Sequence, residues 1–159
     1  MWFLRYLMLL SLLVWLGGLI FFSFVLAPTV FSVLPTRHLA GAVVSRSLGS
    51  LHWMGIGAGI VFLASSMTYS RLASGTVHPF AARNLLICFM LLLTIVSQFG
   101  VSPSMATLRG SMGEIDQVAP DNPARVQFNA LHAWSTRLEV GVFLLGLTVL
   151  GLVAGALRS

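Results

Sequence analysis

The chain has no lysine, a single cysteine and only 8% charged residues among 159. One cysteine, Cys88, excludes an internal disulfide and any Cys-x-x-Cys redox or metal motif. Lying mid-run in "LLICFMLLL", it occupies the place of a small apolar residue and says nothing about redox compartment. No glycine-rich phosphate loop occurs. Ser135 follows His132 by three residues on one helix, which is a packing relation without the acid-relay order of a nucleophile and base. Enzyme chemistry on this chain would therefore need a bound cofactor. Basic runs are missing as well: the nine arginines that give a net charge of +5 are dispersed around apolar segments, with no interleaved aromatic surface. Membrane topology accounts for them, and nucleic acid is discarded as a partner.

What is present is apolar sequence. A mean hydropathy of +0.94 and 57% hydrophobic residues mark an integral membrane protein with the lipid bilayer as its surroundings. No charge falls between Arg5 and Arg37, a stretch that includes "VWLGGLIFFSFVLAPTVFSVLP". It is too long for the roughly 7–15 apolar residues of a signal-peptide core and reads as a retained span. Three further runs, roughly Leu48 to Tyr69, Leu85 to Val101 and Leu131 to Leu157, each approach the ~20 residues that cross a hydrocarbon core. The expected architecture is all-α, a single four-transmembrane-helix bundle over residues 1–159. Its connections, such as "LPTRHLAG" and "SRLASGTVHPFAAR", are too short for a second domain. In the longer third connection Met105, Leu108, Met112 and Ile115 recur at helical intervals after Pro103, before "APDNP" stops the pattern. Helix three is therefore expected to continue past the membrane, kinked at the proline. The extension is read as an extracytoplasmic cap over one end of the bundle or as an amphipathic segment on the headgroups.

Arg5, Arg71, Arg83 and Arg158 fall on one side, and Arg37, Arg46, Arg109, Arg125 and Arg137 on the other together with all four acids, Glu114, Asp116, Asp121 and Glu139. Some arginines of the second side can pair with those acids, which leaves the first as the expected cytoplasmic side. The reading is a bacterial cytoplasmic membrane with both termini inside.

Small residues locate inward faces in lipid, where close packing drives helix association. On helix two Ser45, Gly49, His52, Gly55 and Gly59 form such a stripe, and on helix four His132, Ser135, Glu139, Phe143 and Gly146 do the same. His52 and His132 are thus placed inward near the same end of parallel helices, flanked by Trp53 and Trp134 at the depth of an aromatic belt. Inward ionisable residues are candidate functional groups, although near a helix start they also hydrogen-bond loop backbone or pair with Glu139. As a site, His52 and His132 would ligate haem b or a metal such as copper, with Ser135 and Glu139 orienting the imidazoles. Met105 and Met112 are the soft donors available to copper, and otherwise packing residues. Glu139 with Arg137 reads most simply as a first-turn ion pair, and His38 and His78 as interfacial residues.

"WLGGLIFFSFVLAPTVFSVLP", "LAGAVVSRSLGSLHWMG" and "ARVQFNALHAWS" together resemble the transmembrane-protein-205-like family, also catalogued as domain of unknown function 4149. The likeness rests on Trp15-Leu16-Gly17-Gly18, Pro28, Ala40-Gly41, Phe128, His132 and Ser135. It implies a four-helix membrane protein and transfers no settled activity. A weaker similarity, in the Trp-x-Gly-Gly-like first helix, extends to copper-resistance protein D and the membrane protoporphyrinogen oxidase, linked to copper and haem respectively. Helix one here lacks the histidine those relatives often carry. Three function classes follow: a bundle holding haem b or a metal between helices two and four, a non-catalytic subunit or scaffold of a larger membrane complex or homo-oligomer, and a small transporter. The last is the least supported, since no inverted repeat is evident.

Overall fold

In the computed structural model, which describes residues 1–155, the four apolar runs lie within four long helices. These are α1 (Trp2–Val33), α2 (Arg37–Ser74), α3 (Ala82–Met112) and α4 (Pro123–Gly155), each long and apolar enough to span a membrane. Arg158 and the last residues of the fourth run lie outside the described residues. Short connections force an up-down-up-down bundle, so both chain ends described lie at one end, here the terminal end, and the α1–α2 and α3–α4 connections at the other, the loop end.

The helices exceed the apolar runs because hydropathy marks only the part facing hydrocarbon, whereas backbone hydrogen bonding carries a helix on through polar sequence. Thus α2 begins at Arg37, eleven positions before Leu48, and α4 at Pro123 rather than Leu131. Local chemistry sets both starts. Thr36 caps α2, its Oγ1 accepting from the Leu39 amide at 3.2 Å. Asn122 accepts from the Ala124 amide at 2.9 Å, with Pro123 in the first turn where its missing N–H costs nothing. Gly75 (φ 74°) ends α2 in the left-handed conformation that glycine adopts without strain.

Both odd-numbered helices carry a π-helical turn, Phe22–Leu26 in α1 and Ser97–Val101 in α3. In each the residue before a proline bonds back five positions: the Ala27 amide to the Phe22 carbonyl before Pro28, and the Ser102 amide to the Ser97 carbonyl before Pro103. A proline lacks the N–H that would continue the α ladder, and the widened turn absorbs the break. Beyond it α3 continues as Ser102–Met112, packs on α4 and α2, and buries Met105. The extension is a cap over the bundle.

One core runs through the membrane-spanning part, joining Met8, Leu12, Trp15 and Leu19 of α1 to Phe62 of α2, Ile87 and Met90 of α3, and Val142 and Val149 of α4. The glycine stripe of α2 faces inward, with Gly55 and Gly59 buried. Its neighbour is a side chain: a Cβ on Gly55 would lie 2.5 Å from Trp15 Nε1, and one on Gly59 2.7 Å from Leu91 and 3.0 Å from Trp15. The space left by Gly55 and Gly59 therefore receives an indole ring, with Leu91 beside it at Gly59. At the terminal end Arg5 reaches the Tyr69 hydroxyl (Nε–Oη 3.1 Å) and stacks on its ring, and Arg83 Nε donates to Ser66 Oγ at 2.8 Å.

Candidate functional site

Deep in the bundle His52 of α2 is 2% exposed and has both ring nitrogens engaged. Nδ1 lies 2.8 Å from Gln98 Oε1 and Nε2 lies 2.7 Å from Glu139 Oε1. With Nδ1 donating to the amide oxygen, the second nitrogen shares a proton with the carboxyl group, as imidazolium and carboxylate or as imidazole and carboxylic acid. Ser97 Oγ donates to the same Glu139 oxygen at 3.4 Å. The π turn of α3 supplies both Ser97 and Gln98, which is how two consecutive residues come to serve one cluster.

Glu139 is thus no partner of Arg137. Residues two apart on a helix face different sides, so Glu139 points into the bundle while Arg137 turns outward over the Trp134 ring at 5.3 Å. With α4 beginning at Pro123, Glu139 lies well past its first turn.

His132 stands apart from His52. Because Glu139 meets His52 directly, His132 lies about two helical turns, on the order of 10 Å, nearer the loop end. It is exposed at the protein surface and lines a cavity of about 330 Å³ beneath the α3 extension. Ser135, Thr136 and Glu139 continue down the same wall. The expected equal depth of the two histidines fails because His52 lies fifteen residues past the start of α2 and His132 only nine past the start of α4. Of the four residues expected to form one site, His132, Ser135 and Glu139 share the cavity, and His52 lies behind Glu139 with no nitrogen left for a ligand. Among the described residues no three His, Cys, Asp or Glu side chains converge as a metal set. Met105 lines the cavity, and Met112 is about two turns away along the helix.

The cavity is cationic above and, below, largely apolar, with Ser135 and Glu139 on the α4 wall. Phe22 and Phe31 of α1, Val44 and Leu48 of α2, Met105 of α3 and Phe128 of α4 supply hydrocarbon, and Arg37, Arg109 and Arg125 reach it from three elements. Arg37 meets Asp116 at 3.6 Å, an exposed pair worth little. Arg125 donates to the Val118 carbonyl. Arg109, partly buried, lies over the Phe128 ring at 5.4 Å and against Gly41, where a Cβ would stand 3.2 Å from its Nε. The salt bridges among the described residues are Arg37–Asp116 and His52–Glu139, so the expected pairing of loop-end arginines with acids is met at Arg37 alone. His38 donates from Nδ1 to the Gly113 carbonyl at 2.8 Å, and His78 lies within 3.1–3.2 Å of the Ser74 and Thr76 hydroxyls, both at connections.

Sequence reasoning passed over Gln98, Ser97 and Arg109. A glutamine within an apolar run was the available signal for the first, since polar side chains in a span are costly and need partners. For Arg109 there was none, because only the fold brings it over Gly41 and Phe128.

A family model described as a domain of unknown function, DUF4149, matches residues 10–114, from α1 to just past the end of α3. No curated protein and no solved structure matches the chain. The chain belongs to the DUF4149 family, as a four-helix membrane protein.

Proposed function

We propose that this protein binds an anionic amphiphile, a molecule with an apolar body and an anionic head, in the cavity beneath the α3 extension. One observation carries the reading: Arg109 faces a largely apolar cavity and has no carboxylate within salt-bridge distance among the described residues. A partly desolvated guanidinium is stabilised by an anion that brings charge-assisted hydrogen bonds, and hydrocarbon below it favours an apolar tail. Arg125 adds a second cation at the same rim. The proposed chemistry is binding, with Glu139 committed to His52.

Native mass spectrometry of the purified protein tests this. One anionic amphiphile should remain per folded chain, and Arg109→Gln should lower its occupancy about tenfold, the loss expected of one or two charge-assisted hydrogen bonds. Unchanged occupancy in Arg109→Gln would sink the reading, and wild-type protein carrying no ligand would return weight to a scaffold or complex subunit.

A second reading has haem b as the amphiphile, its carboxylates at the arginines and His132 as sole protein ligand, favoured because His132 lines the cavity while the other histidine there, His38, is held by the Gly113 carbonyl. A Soret band lost in His132→Ala supports it; a featureless spectrum rejects it. We also propose that both termini are cytoplasmic, which is tested by a reporter at the N-terminus reading out in the cytoplasm and one inserted near Asn122 reading out on the far side of the membrane.

A further inference from the structure

We infer that the ligand enters sideways from the bilayer, through a gap between the outer part of α1 and α4, and that it is an anionic phospholipid rather than a water-borne anion. The inference rests on the amphiphile-binding reading above.

The walls of the cavity differ in how they are closed. Toward the loop end the roof is the segment after α3, and three polar contacts pin it: His38 to the Gly113 carbonyl, Arg37 to Asp116, and Arg125 to the Val118 carbonyl. Toward α2 and α3 the wall is continuous helix packing, since the α3 extension rests on both α4 and α2. The side between α1 and α4 is different. Below the π turn the two helices interlock, with Leu16 so close to Gly146 that a Cβ there would lie 2.5 Å from it. From Phe22 onward α1 leans on α2 instead and buries none of its own residues.

Ser23 and Phe31 on one edge of this gap, and His132 and Thr136 on the other, all line the cavity and are all exposed at the surface, which is what a lateral mouth requires. Exposed aromatic rings flank it. Phe24, next to Ser23, is 75% exposed, and Trp134, beside Ser135, is 56% exposed. Outward aromatic rings are what a mouth near the headgroup boundary would present to lipid. A phospholipid meets every part of this arrangement: its phosphate reaches Arg109 and Arg125, and its acyl chains leave through the mouth without quitting hydrocarbon. The charge on the cavity wall selects an anionic head, and the side opening selects a molecule already dissolved in the membrane.

The test uses the full chain in phosphatidylcholine nanodiscs containing phosphatidylglycerol, with exchange of bound lipid for added brominated phosphatidylglycerol followed by native mass spectrometry. Ser23→Trp and Thr136→Trp, made separately on the two edges, should each slow exchange about tenfold while the melting temperature stays at the wild-type value, both positions being exposed. Leu144→Trp, on an exposed face of α4 away from the mouth, should exchange as wild type. Glycerol phosphate in the buffer should not displace the lipid. Wild-type exchange rates in both mouth variants would overturn lateral entry while leaving the amphiphile reading standing, as would displacement by millimolar glycerol phosphate. A retained porphyrin or other non-phospholipid amphiphile would overturn the phospholipid assignment alone. No retained amphiphile of any kind would remove both readings.

Discussion

The two hairpins of this bundle are built alike and end up with different tasks. Each opens with a helix whose π turn precedes Ala-Pro or Ser-Pro, and each returns on a helix bearing Leu-His, Leu51-His52 in the first and Leu131-His132 in the second. Counting back from the π turns, Trp15 answers to Met90 and Leu12 to Ile87, and all four are buried. Counting on from the histidines, Gly55 answers to Ser135 and Gly59 to Glu139. There the likeness stops. In the first hairpin the two positions are bare and take the Trp15 indole, whereas in the second they carry polar side chains and border the cavity. His52 is sealed between Gln98 and Glu139 while His132 opens outward. The longer α3–α4 connection supplies the roof. The same local device thus yields a structural pair on one side and a binding wall on the other, and the deciding residues are those one and two turns past each histidine.

The strongest way to break this comparison is to swap bulk between the matching positions. Gly55→Leu forces atoms onto Trp15 where even a Cβ has no room, and folded protein should be lost, seen as aggregation in size-exclusion chromatography. Ser135→Leu borders open cavity and should remain monodisperse, with amphiphile occupancy reduced by the filled space. Equal behaviour of the two variants would mean that the first hairpin is not sealed by its indole.

Next in size is the cost of opening the buried pair. Glu139→Ala leaves the buried Nε2 of His52 without its partner and should destabilise by about 3 kcal/mol in a denaturation series in micelles. His52→Ala should cost a similar amount, and the double variant clearly less than the sum, because either change already breaks the pair. His132→Ala, at an exposed position, should fall within about 0.5 kcal/mol of wild type. A large stability loss in His132→Ala would make the two histidines equivalent after all.

Smaller still, Gly41→Val should push the Arg109 guanidinium from its place over Phe128 and lower amphiphile occupancy severalfold by native mass spectrometry, with little change in melting temperature. Unaltered occupancy would show that Arg109 does not need that seat. At the bottom of the scale, Leu63→Met at the edge of the core should cost under about 1.5 kcal/mol in the same series, since shape changes little and methionine adapts.

How much of this was legible beforehand varies by residue. The inward faces of α2 and α4 were readable because small and polar residues at helical steps mark a packed face, and Gly55, Gly59 and Gly146 are indeed buried. The pairing of His52 with Glu139 was one of several options for an inward histidine, and spacing alone could not choose it over Arg137. Gln98 went unread because one polar residue in an apolar run has no periodicity to announce it.

By itself the sequence determined the solvent, the number of spans, their antiparallel order and the helical extension after Pro103. These follow from hydropathy summed over contiguous runs, from short connections and from local backbone chemistry, all of which act within neighbouring residues. Only the tertiary structure decided which histidine is sealed, where Arg109 rests and that a cavity remains beneath the cap. Those outcomes depend on the relative heights of helices far apart in the chain, and helix height is set by caps and connection lengths that shift a side chain by about 1.5 Å per residue. With α2 and α4 starting at nearly equal height, His52 fifteen residues and His132 nine residues along are separated by more than a hydrogen bond can span.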